Sequence, residues 1–430
     1  MTDSHRPRVA VAMLGARMHY AVPSILEKAG LLEKFYTDSY SGNKPWLSSS
    51  LRKLPSRYTS SGATRWLGRS DAAIPNSKVT SFEFLGLRFA LDRIRAKSAA
   101  ERSTASARAN IAFNCRILKR GIGNADMIYG FNSASLELFS AHHNSGVIKV
   151  LEQTILPRAL TPELIDGTLR KYPGWEPGYT PAGEEILAAR EMAEWGLADA
   201  ILAASDFVKD GLIRLGVPDQ KITVIPYGVP LERFEPVAPS CGPAGPLRVL
   251  FVGEVGLRKG APYLLEALGE LGPDKVQARF IGKISLDRDK INAYRGVAEF
   301  WGVVPRSQVR EHFEWAQVFA LPSIIEGSAT VTYEALLSGL PVITTPNAGS
   351  IVRDGSEGRI VPVGDIKALA NALSDYADDE GLRTCHSEAA RAARSRASLD
   401  AYGDALTTFV KELSERIRRN EPRRVLYEVY

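Results

Sequence analysis

The chain has 430 residues, 45% of them hydrophobic and 24% charged, a balance that argues against intrinsic disorder and exceeds what a single ordinary core holds, so two units are expected. Its three cysteines, Cys115, Cys241 and Cys385, are too few and too scattered for a disulfide framework or a metal cluster, and they fit a reducing cytoplasm. The net charge of +5 conceals an imbalance, since residues 44–120 hold 16 Lys and Arg against 4 Asp and Glu, a net of +12 that leaves −7 for the rest.

In chain order, residues 9–16 (VAVAMLGA) follow Arg6 and Arg8 as a secretion signal would. The apolar run is short, ends at a glycine and continues into ARMHYAVPSIL, so a first buried strand is expected instead. A helical pattern follows over VPSILEKAGLLEKF. The basic segment 44–120 comes next, dense in Ser and Arg over 48–108, and reads as a loop or an inserted helical piece. It either faces water or meets an anionic membrane surface or acidic acceptor, and no nucleic-acid-binding motif accompanies it.

Strands and helices then alternate: DMIYGF and SASLELFSAHH, VIKVLEQ, EEILAAREMAEWGLA and DAILAAS, a helix DFVKDGLIRLG capped by Ser205, and KITVIPYGV. Alternation of this kind means parallel strands with crossover helices. Between Pro230 and Pro246 the density of Pro and Gly marks a linker. The alternation restarts behind it, from LRVLFVG and APYLLEALGEL to GRIVPV and DIKALANALSDYA, as a second doubly wound sheet. No run approaches the ~20 apolar residues of a membrane-spanning helix. The amphipathic stretch SLDAYGDALTTFVKEL and the tail RIRRNEPRRVLYEVY end the chain, the tail being either frayed or an arm on a membrane or partner.

Two such sheets imply a cleft, and ligands of open α/β sheets bind beyond the carboxyl ends of the strands. Residues 321–345, LPSIIEGSATVTYEALLSGLPVITT, fit that place. Glu326 follows the strand QVFALPS, Gly327 and Ser328 allow the backbone to turn, and Glu334 lies in the second turn of the next helix. A helix start behind a glycine turn offers N–H groups and a positive dipole end to a phosphate or a sugar hydroxyl. Arg258 and Lys259 in GLRKG sit at another helix start, where acidic residues are normally preferred, so an anion is needed to explain them.

The frame PS-x-x-EG…EAL-x-SGLPVI resembles the signature of family 4 glycosyltransferases, and VLFVGEVGLRKGAPYLLEAL, ADAILAASDFVKDGLIRLGV and VIPYGVPLERFEP extend the resemblance over residues 185–410. It implies an α/β fold of two doubly wound Rossmann-like domains facing a cleft (GT-B): an acceptor-side domain over 1–235, joined by a carboxyl-terminal helix over about 398–430, and a nucleotide-sugar domain over 246–397. It implies retaining transfer from a nucleotide-diphosphate sugar to a glycan or lipid-linked acceptor, in the setting of bacterial surface polysaccharide assembly. The implied location is the cytoplasm, with peripheral contact on the inner membrane face. By the same resemblance Glu334 would hold the donor ribose, Glu326 would face the transferred sugar, and the N–H groups of Ser328 and Ala329 would reach its hydroxyls, with Gly327 and Thr330 in the same turn. Arg258 and Lys259 would hold the diphosphate as the glycosidic bond breaks.

This sequence departs from the family pattern in places. Glu254 stands where arginine is frequent, and Gly15 is the single glycine of the loop Leu14-Gly15-Ala16-Arg17, with His19 a further candidate beside it. Where relatives end the central strand with histidine, this chain has Glu152 and Gln153. A strand-end carboxylate is costly to bury unless paired, so Glu152 is expected at the surface or in the site. Asp287-Arg288-Asp289 has the form of a metal-binding DxD, but carboxylates two apart on a helix diverge, and neither metal nor cofactor is expected. The competing readings are an epimerase-like enzyme and a catalytically silent sugar-nucleotide-binding protein; the latter would have lost at least one of Arg258, Lys259, Glu326 and Glu334, all of which are present.

Overall fold

The computed structural model describes residues 6–44, 66–234 and 245–419. Seven strands, β1 (Val9–Met13), β2 (Leu32–Thr37), β3 (Val79–Ser81), β4 (Met127–Phe131), β5 (Ile148–Gln153), β6 (Ala200–Ala203) and β7 (Ile222–Val224), form a parallel sheet in the order 3-2-1-4-5-6-7. Six more, β8 (Leu247–Val252), β9 (Val276–Ile281), β10 (Ala298–Gly302), β11 (Val318–Leu321), β12 (Val342–Thr344) and β13 (Gly358–Ile360), form a second parallel sheet in the order 10-9-8-11-12-13. Helices cover both faces of each sheet, which is why β1 and β11 are apolar without alternation and buried at every position. Strand order reverses beside β1 and beside β8, so the loops after β1, β4, β8 and β11 line the two crevices.

The expected first strand is present, and Ser205 caps its helix by accepting the Val208 N–H at 3.3 Å. Three strands, β2, β3 and β10, escaped the sequence pattern. VPSILEKAGLLEKF was expected to be helical throughout, but the helix Ala21–Lys28 stops at Gly30 (φ 70°) and LEKFYT continues as β2. The short β10 was not expected either. Of the basic segment, residues 45–65 lie outside the described residues, and the remainder forms β3 and the helices Glu83–Arg95 and Ala99–Arg120. Part of the linker (235–244), Cys241 and the tail beyond 419 also lie outside them.

The helix Leu399–Arg419 returns to the first sheet, where Tyr402, Leu406, Val410 and Leu413 join the core with Val9, Val11 and Met127. The two connections between the units run side by side: Val229 and Leu399 exchange main-chain bonds at 2.9 Å with Ala397 and Val229, and a Cβ on Gly228 would strike the Ser398 carbonyl oxygen at 2.1 Å. Packing also crosses the cleft further on. Leu156, Leu160, Ile165 and Tyr172, which follow β5, are buried within the core of the second unit, and the Tyr172 ring meets Tyr263 edge-on at 4.9 Å.

Candidate functional site

Behind β8 the chain passes through GEVGLRKG into the helix Ala261–Leu271. Gly260 adopts φ 70°, and a Cβ there would lie 1.9 Å from the Pro322 carbonyl oxygen, so only glycine lets this turn rest on the turn after β11. The N–H groups of Ile324 and Ile325 both donate to the Arg258 carbonyl, at 2.9 and 3.2 Å. Joined in this way, the two turns bring Glu326 onto two neighbouring side chains, Arg258 and Lys259, that are remote from it in sequence. Glu326 Oε1 accepts from Arg258 Nη1 at 2.6 Å and from Lys259 Nζ at 2.7 Å, and Arg258 Nη1 also donates to the Ile325 carbonyl at 2.9 Å. The Lys259 stem lies over Gly253, where a Cβ would meet its Cε at 3.4 Å. Two cations on one carboxylate leave a surplus positive charge beside a helix start, which attracts anions.

Gly327 is where loops of both units meet. A Cβ on it would sit 2.1 Å from the Thr154 carbonyl oxygen behind β5, Ser205 Oγ donates to its carbonyl, and Gly349 (φ 60°) leaves room for that carbonyl from below. Ser328 Oγ shares a 2.7 Å hydrogen bond with the Tyr333 hydroxyl. The expectation for Ala329 needs correcting: its N–H already donates to the Ala348 carbonyl at 2.9 Å and is not available to a sugar hydroxyl. Those of Ser328, Thr330 and Val331 find no main-chain acceptor among the described residues. Glu334 is half-buried in the second turn of the helix Thr330–Leu337.

Across the cleft, Gly15 adopts φ 89°, donates its N–H to Asp38 Oδ1 at 2.8 Å, and has no atom within 4 Å of where a Cβ would stand. Met18, His19 and Tyr20 follow in the left-handed region (φ 44°, 53° and 67°), an unfavourable run for residues with side chains. It is pinned by the buried Tyr20, whose hydroxyl donates to the Ser39 carbonyl at 2.9 Å, and it leaves His19 exposed.

Glu152 is neither at the surface nor open to the cleft. It is buried inside the first unit, accepting from the hydroxyls of Tyr129 at 2.5 Å and Tyr227 at 2.6 Å, and burial raises its pKa against those two bonds. The pairing that makes its burial tolerable comes from β4 and from the loop after β7, which no local pattern reveals. Gln153 is likewise consumed, accepting from Trp195 Nε1 at 3.1 Å and donating to the Ile155 carbonyl at 3.0 Å. Glu254 turns aside to Lys283 and Ser285, at 2.8 and 2.6 Å, which hold its pKa down although partial burial opposes them. Asp287 caps the helix Arg288–Asn292 with its carboxylate, and no three His, Cys, Asp or Glu side chains among the described residues converge as metal ligands.

Two residues of the cleft were not foreseen. Arg17 Nη1 donates to Thr154 Oγ1 at 2.9 Å with its guanidinium 5.4 Å above the Phe131 ring, which ties the loop after β1 to the residue that abuts Gly327. Glu176, in the irregular stretch before the helix Glu185–Leu197, accepts the Leu257 N–H at 2.7 Å within the loop that carries Arg258, and burial raises its pKa. A single arginine behind a strand or a glutamate in a Pro and Gly-rich stretch gives no sequence signal.

Fold and cleft together define a GT-B protein. It superposes on sucrose-phosphate synthase from Thermosynechococcus elongatus (TM-score 0.61, 17% identity, 96% of this chain and 100% of that one) and on HepE from Anabaena in complex with UDP (TM-score 0.61, 15% identity, 94% and 100%). Residues 246–379 match the family Glycosyl transferases group 1. Among curated proteins the chain is 32% identical over 213 residues to the putative colanic acid biosynthesis glycosyltransferase WcaL of Escherichia coli, covering 46% of this chain and 50% of that protein. It is 29% identical over 266 residues to the D-inositol 3-phosphate glycosyltransferase of Xylanimonas cellulosilytica, covering 56% and 62%. The chain thus spans about half the length of the curated relatives it matches.

Proposed function

We propose that this protein is a retaining glycosyltransferase that moves a sugar from a nucleotide-diphosphate donor to a glycan or lipid-linked acceptor of a bacterial surface polysaccharide, at an anionic membrane face. The observation that carries the reading is the cluster of Arg258, Lys259 and Glu326 at the carboxyl edge of the second sheet, facing the first unit across Gly327. Its surplus positive charge suits a diphosphate, and it grows in value as negative charge gathers on that group during bond breaking. Glu334 takes the ribose diol, while Glu326 and the N–H groups of Ser328 and Thr330 lie on the sugar's side. Gly15 and the left-handed turn behind it line the acceptor's side. Glu152 and Ala329 leave the set of direct contacts, and Glu152 acts from beneath by holding Tyr129 and Tyr227. The relatives support the setting, because WcaL is described by colanic acid synthesis and a further relative, TuaC of Bacillus subtilis, by teichuronic acid synthesis. HepE crystallises with UDP and with UDP-glucose, which favours a nucleotide-sugar donor.

The direct test is calorimetry with UDP, GDP and ADP on the wild type and on Lys259→Ala. One nucleotide should bind the wild type, and the variant should lose about tenfold or more in that affinity together with turnover, because one cation serves both the bound and the departing phosphate. Equal affinity in the two proteins would remove Lys259 from the diphosphate site.

Transfer is also expected to persist in EDTA, with Arg258, Lys259 and the helix start carrying the charge that a divalent ion carries in metal-dependent enzymes. Activity abolished by chelation and restored by manganese or magnesium would overturn this assignment.

A further inference from the structure

Resting on the membrane setting proposed above, one surface can be singled out. The helix Glu83–Arg95 shows solvent the residues a helix normally buries: Phe84 is 88% exposed, Leu87 60%, Leu91 42% and Ile94 80%. Their spacing of three, four and three places all four on one stripe. The inward side of the helix is served by Leu85, which is buried against Phe113 and Ile117. The outward stripe is therefore surplus to the core. Arg88 and Arg95 flank it, and Arg93, Lys97, Arg102 and Arg108 stand exposed nearby.

Two occupants suit a stripe of this spacing, a second copy of the helix or a lipid surface, and charge decides between them. In a paired helix Arg88 and Arg95 would occupy the flanking positions that acids of the partner must neutralise. Neither acid of this helix is free to do so. Glu83 is committed to Ser39 Oγ, the Tyr40 N–H and Lys44 Nζ at 2.6, 3.1 and 2.7 Å, and Asp92 lies 3.8 Å from Arg88 of its own chain. Self-association would set basic flank against basic flank. An anionic lipid surface offers both an apolar interior for the stripe and counter-charge for the flank.

The helix is also joined to the acceptor side of the cleft. Glu83 holds the loop after β2, Gly86 packs so closely that a Cβ would meet the Asp38 carbonyl oxygen at 3.0 Å, and Asp38 accepts the Gly15 N–H. We infer that the helix Glu83–Arg95 is a membrane-docking helix, inserting Phe84, Leu87, Leu91 and Ile94 into an anionic lipid surface and so presenting the mouth beside Gly15 to an acceptor anchored there.

The test compares the wild type, Phe84→Ser/Ile94→Ser and Arg88→Gln/Arg95→Gln by co-sedimentation with phosphatidylcholine vesicles made with and without phosphatidylglycerol, at low and high salt. Because the altered side chains are exposed, thermal melts of all three should coincide. The wild type should sediment with the anionic vesicles and be released by salt. The serine pair should lose about tenfold or more of the partitioning, and the glutamine pair should lose the anionic preference. Wild-type binding unchanged in both variants would overturn the helix assignment while sparing the membrane reading. No binding by the wild type would overturn both. A wild-type dimer in sedimentation equilibrium that the serine pair dissolves would overturn the lipid assignment in favour of a second copy.

Discussion

Glu326→Gln is expected to lower kcat by about 10²-fold or more while donor affinity holds or rises slightly, the pattern of an interaction made mainly in the transition state. Retaining displacement without an enzymic nucleophile keeps the leaving diphosphate and the incoming hydroxyl on one face of the sugar, and the ring passes through a short-lived cation. In the proposed site the Glu326 carboxylate would stand beside that face, and it touches Arg258 and Lys259, the two cations assigned to the diphosphate, at 2.6 and 2.7 Å. Glutamine keeps its shape and loses the charge that offsets the ring. It also frees Arg258 and Lys259 from sharing their charge with a carboxylate, so ground-state binding does not fall with the rate. Steady-state kinetics and nucleotide calorimetry separate the two quantities, and proton NMR of the product from an α-linked donor should show an α linkage. A β product would sink the retaining assignment. A Glu326→Gln enzyme with wild-type kcat would sink the role given to this residue.

The second large effect is expected at Gly327, through geometry instead of charge. In Gly327→Ala the new methyl would lie 2.1 Å from the Thr154 carbonyl oxygen and 2.8 Å from Ile155 Cα, both main-chain atoms of the facing unit that cannot rotate away. The turn after β11 must withdraw from the loop after β5, and a displacement of about 1 Å between reacting groups can cost about 10²-fold in rate. Each sheet keeps its own core, so both units should stay folded and the melting temperature should fall by only a few degrees. The discriminating measurement is kcat beside a thermal melt: lost turnover with a near-native melt supports the close approach, whereas wild-type turnover shows that catalysis does not need it.

Much of the fold was legible because parallel strands covered on both faces are nearly continuous apolar runs, as in VAVAM, VLFV and VFAL. Crossover helices between them carry their own period, as in LANALSDYA. The failures share one cause, which is that β2, β3 and β10 break the apolar run with polar or partly exposed positions. Leu32–Thr37 merged with the preceding helical pattern, and Ala298–Gly302 is five residues with polar members on an edge. In the site, Arg258 and Lys259 stood out as cations at a helix start, and Glu326 and Glu334 through the resemblance of their frame to the family 4 signature.

The sequence by itself determined two doubly wound units, since parallel strands and crossover helices are written in near neighbours along the chain, and it put forward the residues at the two turns of the second unit. Only the tertiary structure decided which of them touch and which are already spent. Glu326 holds both cations because Gly260 lets its turn lie on Pro322; Glu152 is withdrawn because Tyr129 and Tyr227 reach it from other elements; Ala329 is lost to the Ala348 carbonyl. Glu176 reached the Leu257 N–H from a stretch with no period at all. The physical reason is the same throughout: a hydrogen bond or a close main-chain approach between residues far apart in the chain is set by how helices and sheets pack, and packing leaves no local trace in the order of residues.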